Sequence, residues 1–329
     1  MIDFRYHLVS IIAVFLALAV GLVVGSTALS GKAEEALKVA QHNALANNKT
    51  LEKERSALNN QVSADQAFAH AASQRLIGGL LAQQKVVVVI APGADSAVTS
   101  GVVTALKQAG ATVTGQVQLQ QSFMTTSAAN EASLTQLGNN LATQAGLAPP
   151  AQSQSTVAGQ QSAAHVLAAS LLATAPGTGL SPKASTAILT GLSQTGFLSV
   201  NVNAPLPTAT LAVLVTPGGS APQDGSEVLG AVAAELSAAG SGTVMAGGTA
   251  SVGAGSVISK ENNAAKPVST VDNADTETGQ IMVVQALAYL LAGKAPAAYG
   301  IASGVAPSPA PTPSVTPSTA PSGTAGRHL

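Results

Sequence analysis

Residues 86–95 read VVVVIAPGAD and follow Lys85 directly. Five β-branched residues without polar alternation, stopped by Pro92-Gly93, specify a strand buried on both faces, as in parallel sheets. Ser96 to Gly110 then shows helical spacing through Val98, Val102, Val103 and Leu106, and Thr112–Leu119 is a second strand. Together they make one βαβ unit. Downstream the pattern recurs: helices over 131–145, 163–175, 183–195, 226–239 and 278–292, and strands over 197–200, 210–215 and 243–246. Val268–Val271 reads as a short edge strand, and 147–162 as a Pro/Gln/Ser linker. This alternation predicts a Rossmann-like α/β domain over residues 85–305 with a mostly parallel sheet.

Composition narrows what such a chain can do. Of 329 residues, 46% are hydrophobic, 9% charged and 2% aromatic, and there is no Cys. A net charge of -1 argues against a basic nucleic-acid surface. The missing cysteines remove disulfides, iron–sulfur ligation and a thiol nucleophile. Residues 1–85 carry 14 of the 29 charged side chains, so composition breaks near Lys85.

Upstream of that break lie two further zones. Leu8–Leu29 (LVSIIAVFLALAVGLVVGSTAL) holds no charge over 22 residues, about 33 Å of helix, enough to cross a bilayer core. A cleaved signal peptide is the rival reading, but it calls for a shorter apolar region and a more basic start than one with both Asp3 and Arg5. Residues 1–30 are therefore expected to be a transmembrane anchor. Arg5 ahead of the span, partly offset by Asp3, favours a cytoplasmic N-terminus, with the bulk of the chain extracytoplasmic.

Residues 31–84 read as a helical stalk. Leu37, Ala44, Leu51 and Leu58 recur every seven residues, which is coiled-coil spacing, although Gln41, Asn48, Arg55 and Val62 make a poor second seam. A weak parallel coiled coil or a single solvated helix both fit, and Gly78-Gly79 ends the segment. Within the anchor, Ala17, Gly21 and Gly25 recur every four residues, so small side chains share one face. Both features point to a homodimer or oligomer through residues 8–62. At the other end, six prolines among Pro307–Pro321 predict a disordered tail over 306–329.

Two segments carry a family resemblance. MIDFRYHLVSIIAVFLALAVGLVVGSTALSG at the N-terminus and VSTVDNADTETGQIMVVQALAYLLAGKAPAAYG from Val268 to Gly300 resemble the opening and closing signatures of the actinobacterial copper transport protein B (MctB) family. The order of membrane helix, coiled stretch and α/β body is also similar. The resemblance implies a cell-envelope protein of copper transport and homeostasis; the founding member is described as a pore-forming outer-membrane exporter. Copper enters through the resemblance only, and no cofactor is evident in the residues. Cu(I) prefers sulfur ligands and Cu(II) imidazole. Yet Met1, Met124, Met245 and Met282, like His7, His42, His70, His165 and His328, are scattered. Outer-membrane barrels need repeated alternating segments of about ten residues, which are absent from the pattern.

Asp272, Asn273, Asp275 and Glu277 form the acidic cluster of the body, between a strand and a helix. Their oxygens could hold a hard cation such as Mg²⁺ or Ca²⁺. Alternatively, Asp275 or Thr276 caps the last helix while Glu277 favours its dipole. Ala91–Asp95 and Gly247-Gly248-Thr249 follow strands but lack the glycine and lysine pattern of a phosphate loop. Three functions remain: an anchored envelope module that binds or scaffolds an unidentified envelope partner without catalysis, a copper pore or exporter component, and a Rossmann-like envelope enzyme at the acidic edge. If Gly21 and Gly25 pack face to face in lipid, Gly21→Leu lowers the crosslinked dimer yield severalfold. Unchanged crosslinking in native membranes would remove the dimer.

Overall fold

The valine run forms β1 (Lys85–Ile90) at the centre of a seven-stranded sheet. Alternate side chains of a strand point to opposite faces. Val87 and Val89 enter one apolar cluster and Val86 and Val88 the other, so both faces of the strand are covered. In this computed structural model, residues 4–148, 155–200, 206–219, 223–253, 255–263, 268–302 and 304–306 are described. The chain separates into two units, Met1–Asp65 and Gln66–Leu329.

A helix, α1, spans Phe4–Ile77 and stops at the Gly78-Gly79 pair. In the first unit, every side chain described is exposed. Tyr6–Gly25 within it is long and apolar enough to cross a membrane.

In the second unit, the end of α1 buries Ser73 and Ile77. After β1 come α2 (Ser96–Gln108), β2 (Thr112–Leu119), α3 (Ala128–Ala145), α4 (Ala158–Leu171), α5 (Pro182–Gln194) and β3 (Leu198–Val200). Next are β4 (Leu211–Val215), α6 (Gln223–Ala239), β5 (Gly242–Ala246), a 3-10 turn (Thr249–Val252) and α7 (Val257–Asn263). The described chain closes with β6 (Ser269–Val271), α8 (Glu277–Leu291) and β7 (Ala298–Tyr299).

The strand order is β3-β2-β1-β4-β5-β6-β7, parallel throughout except for the antiparallel β2–β3 pair. Helices α3 to α6 contribute to the cluster on one face, while α2, α8 and Ile77 build the other. A mostly parallel α/β sandwich is therefore present.

Several details depart from expectation. Val268–Val271 was expected at the sheet edge, but β6 lies inside, because the two-residue β7 returns beyond it. Two residues are too few to show periodicity. The edge strand β7 is itself partly closed by a bridge from Tyr299 to Ala306. The expected linker over 147–162 already turns helical at Ala158. The 3-10 turn and α7 were not foreseen at all. The expected disordered tail lies outside the described residues from 307 onward.

Burial holds the Tyr299 phenol above its ordinary value of 10.0, and repulsion from Tyr289 adds to the shift. A raised phenol contributes stability that is complete below the unfolded value of 10.0 and is lost as pH rises through the folded value. Denaturation at about pH 9 and about pH 11 is expected to show a loss at the higher pH that Tyr299→Phe reduces.

Candidate functional site

Doubly wound sheets collect their ligand sites at the carboxyl ends of the strands, where the order reverses. Here the reversal falls between β1 and β4, because the chain moves outward to β2 and then returns to the other side of β1. The loops beyond these strands form a continuous rim. Gly93 stands against Pro217, and the Gly219 N–H donates to the Ala250 carbonyl at 2.9 Å. The Ala274 N–H donates to the Gly247 carbonyl at 2.8 Å. A cavity of 380 Å³ opens at the reversal, lined by Pro92, Met124, Thr125, Pro217 and Leu229 among others.

The acidic cluster occupies the far part of this rim, and its four side chains face different partners. Asp272 is fully buried; its carboxylate accepts from the N–H groups of Ile301 at 2.8 Å and Ala302 at 3.0 Å. That arrangement requires glycine at 300, where φ is +135° and a Cβ would overlap the Asp272 carboxylate. Asp275 accepts from the Thr249 N–H at 2.8 Å and the Thr249 hydroxyl at 2.7 Å. The Gly247-Gly248-Thr249 turn thus binds a carboxylate of its own chain.

Thr276 caps α8, its hydroxyl accepting from the Gly279 N–H at 3.0 Å while donating to the Asn273 carbonyl at 2.8 Å. Glu277, in the first turn, meets His70 Nδ1 at 2.9 Å, and its N–H donates to the Gln66 side chain at 2.8 Å. Asn273 is buried with its Oδ1 unpartnered. Asp95 caps α2 through the Ala97 N–H at 2.8 Å.

No group of three His, Asp or Glu side chains converges to hold a metal among the described residues. The thioethers are no closer to a soft-metal site. Met245 belongs to the core on one face of the sheet and Met282 to the core on the other. In the apolar stretch of α1, Ala17, Gly21 and Gly25 are exposed, with nothing within 4 Å of a Cβ placed at either glycine.

One pairing escaped the sequence. His165 on α4 meets Glu235 on α6, Nδ1 to Oε2 at 3.0 Å, across 70 residues of chain. The two side chains lie on separate helices far apart in sequence, so no spacing rule could join them.

The architecture defines a class: an α/β body that follows a long helix with an apolar, membrane-length stretch at its N-terminal end. Comparison with known proteins narrows it. The family described as copper transport outer membrane protein, MctB, matches residues 1–309. The chain belongs to this family. Two relatives, each named copper transporter MctB, align over nearly all of both chains. The protein of Mycobacterium leprae (strain TN) is 34% identical over 316 residues, covering 92% of this chain and 96% of its own. That of Mycobacterium tuberculosis (strain ATCC 25618 / H37Rv) is 31% identical over 313 residues, covering 91% and 96%.

Replacing both Asp272 and Asp275 by Asn sets an amide nitrogen against an N–H donor at the buried position 272 and weakens the exposed bonds to Thr249. Each orphaned donor costs about 1–3 kcal/mol. Urea denaturation is expected to show a cooperative stability loss of that order, and calorimetry with Mg²⁺ and Ca²⁺ checks whether any cation affinity goes with it.

Proposed function

We propose that this chain is a membrane-anchored envelope protein of copper transport and homeostasis, with its α/β body outside the cytoplasm as a binding or scaffold module rather than a catalyst. The observation that carries the reading is Tyr6–Gly25, an apolar helix whose side chains have no protein cover. Hydrocarbon is the environment that accepts such a surface over 20 residues. The copper role rests on the family and on what its mycobacterial relatives are named.

A scaffold is favoured over a pore by the sheet itself. Its described strands are two to eight residues long, and the central ones are buried by helices on both faces. Such strands present neither a lipid-facing band nor a polar lumen. A scaffold is favoured over an enzyme because the rim carboxylates are engaged by backbone donors rather than aimed at the cavity where the strand order reverses.

A surface suited to self-association fits the same reading. Leu37, Leu51 and Leu58 are 68%, 60% and 61% exposed in the single chain, an apolar stripe at heptad spacing. Pairing of two anchored copies along this stripe would cover it, and membrane tethering raises the effective concentration for that pairing.

Complementation tests the proposal. In a strain lacking the chain, the full protein is expected to restore growth in copper and to stay in the membrane pellet after alkaline wash. Residues 31–329 exported behind a cleavable leader are expected to restore nothing. Full rescue by the untethered body would overturn the anchored reading.

A further inference from the structure

The pairing of His165 with Glu235 has a setting that the copper role does not use. Both residues line a cavity of 400 Å³ bounded by α4, α6 and the chain leaving α4. Its walls include Leu147, Leu172 and Leu180, and no Lys or Arg lines it. Glu235 is nearly closed off, its side chain 16% exposed against 29% for His165. Both its oxygens are engaged: Oε1 accepts from the Gln161 side-chain amide at 3.1 Å and Oε2 faces His165 Nδ1.

An ionised carboxylate only accepts, so the proton of a neutral His165 lies on Nδ1 and the lone pair on Nε2. Nε2 makes no hydrogen bond among the described residues. The cavity therefore combines an apolar body with one oriented acceptor, the usual make-up of a small-molecule pocket. Glu235 places a carboxylate in a cavity that no Lys or Arg lines, which disfavours carboxylates and phosphates. An ammonium group would lose its hydration against the leucine walls.

We infer that this cavity binds a neutral amphipathic molecule whose hydroxyl donates to His165 Nε2 while its hydrocarbon part packs on Leu147, Leu172 and Leu180. Glu235 is the positioning residue: it fixes the tautomer and the ring angle without touching the ligand. A volume of 400 Å³ accommodates a substituted phenol or an alcohol of comparable size.

The test uses the full chain in lipid nanodiscs at about pH 8, with its five histidines isotope-labelled in the ring and His165→Gln assigning the signal. Para-ethylphenol and its methyl ether serve as probes, matched in shape but differing in the donor. The expected result is a saturable shift of the His165 Nε2 signal, with the phenol binding severalfold to about tenfold more tightly than the ether. Leu180→Trp, which fills the cavity, is expected to abolish the response while the His165 signal persists.

Equal affinity of phenol and ether would overturn the hydroxyl assignment, as would tighter binding of para-ethylbenzylamine. A His165 signal that neither probe shifts, or a shift that Leu180→Trp leaves intact, would overturn the site itself.

Discussion

A strand with valine on both faces cannot rest against water on either side. Burial of the central run 86–89 therefore demands two helical layers, and the rest of the body follows from meeting that demand. Neighbours β4 and β5 are fully buried as well, with Leu214 and Met245 turned to one layer and Val213 and Val244 to the other. Parallel neighbours require long crossovers. The crossover helices are the material of the two layers, so strand composition and connectivity satisfy one condition.

The helices that answer this demand are built mainly from Ala, Val and Leu. Helix α4 shows the consequence: Ala163, Ala164 and Ala168 are buried along with Val166 and Leu167, so it is covered nearly all round. Small residues let α3 approach closely, and at Gly138 a Cβ would meet the Ser162 backbone at 2.8 Å. A core with few aromatics is filled here by close backbone approach rather than by large side chains.

These same facts decide what could be read in advance. The strands at 86–90 and 211–215 were legible because unbroken apolar runs ahead of Pro-Gly turns have few other interpretations, and those at 112–119 and 242–246 because each is a short segment that follows a helical pattern. The start of the last helix was legible too, with Thr276 one of the two candidate caps. What stayed hidden was tertiary. Nothing local reveals that Ala298-Tyr299 returns outside Ser269–Val271, nor that Ala158 begins a helix with no side-chain cap. The acidic run was legible as a cluster but not as a set of partners. Asp275 reaches back 26 residues to Thr249, and Asp272 forward 29 residues to Ile301.

Those long reaches explain why the rim carries carboxylates yet lacks a phosphate loop. A phosphate loop leaves its N–H groups free for an anion that arrives from solution. In this chain the comparable donor at Thr249 is taken by Asp275, and those at Ile301 and Ala302 by Asp272. At Ile301 and Ala302 an arriving phosphate would have to displace the buried Asp272 carboxylate and leave its charge unpaired, at a cost of several kcal/mol, and at Thr249 it would compete with the Asp275 side chain. The rim therefore holds its shape through internal anions. Gly279 fits the same logic: a Cβ there would strike the Asn273 carbonyl that Thr276 uses to close the α8 cap. The closing signature of the family reads, in this structure, as the set of residues that locks the last strand, the last helix and the returning chain into one rim.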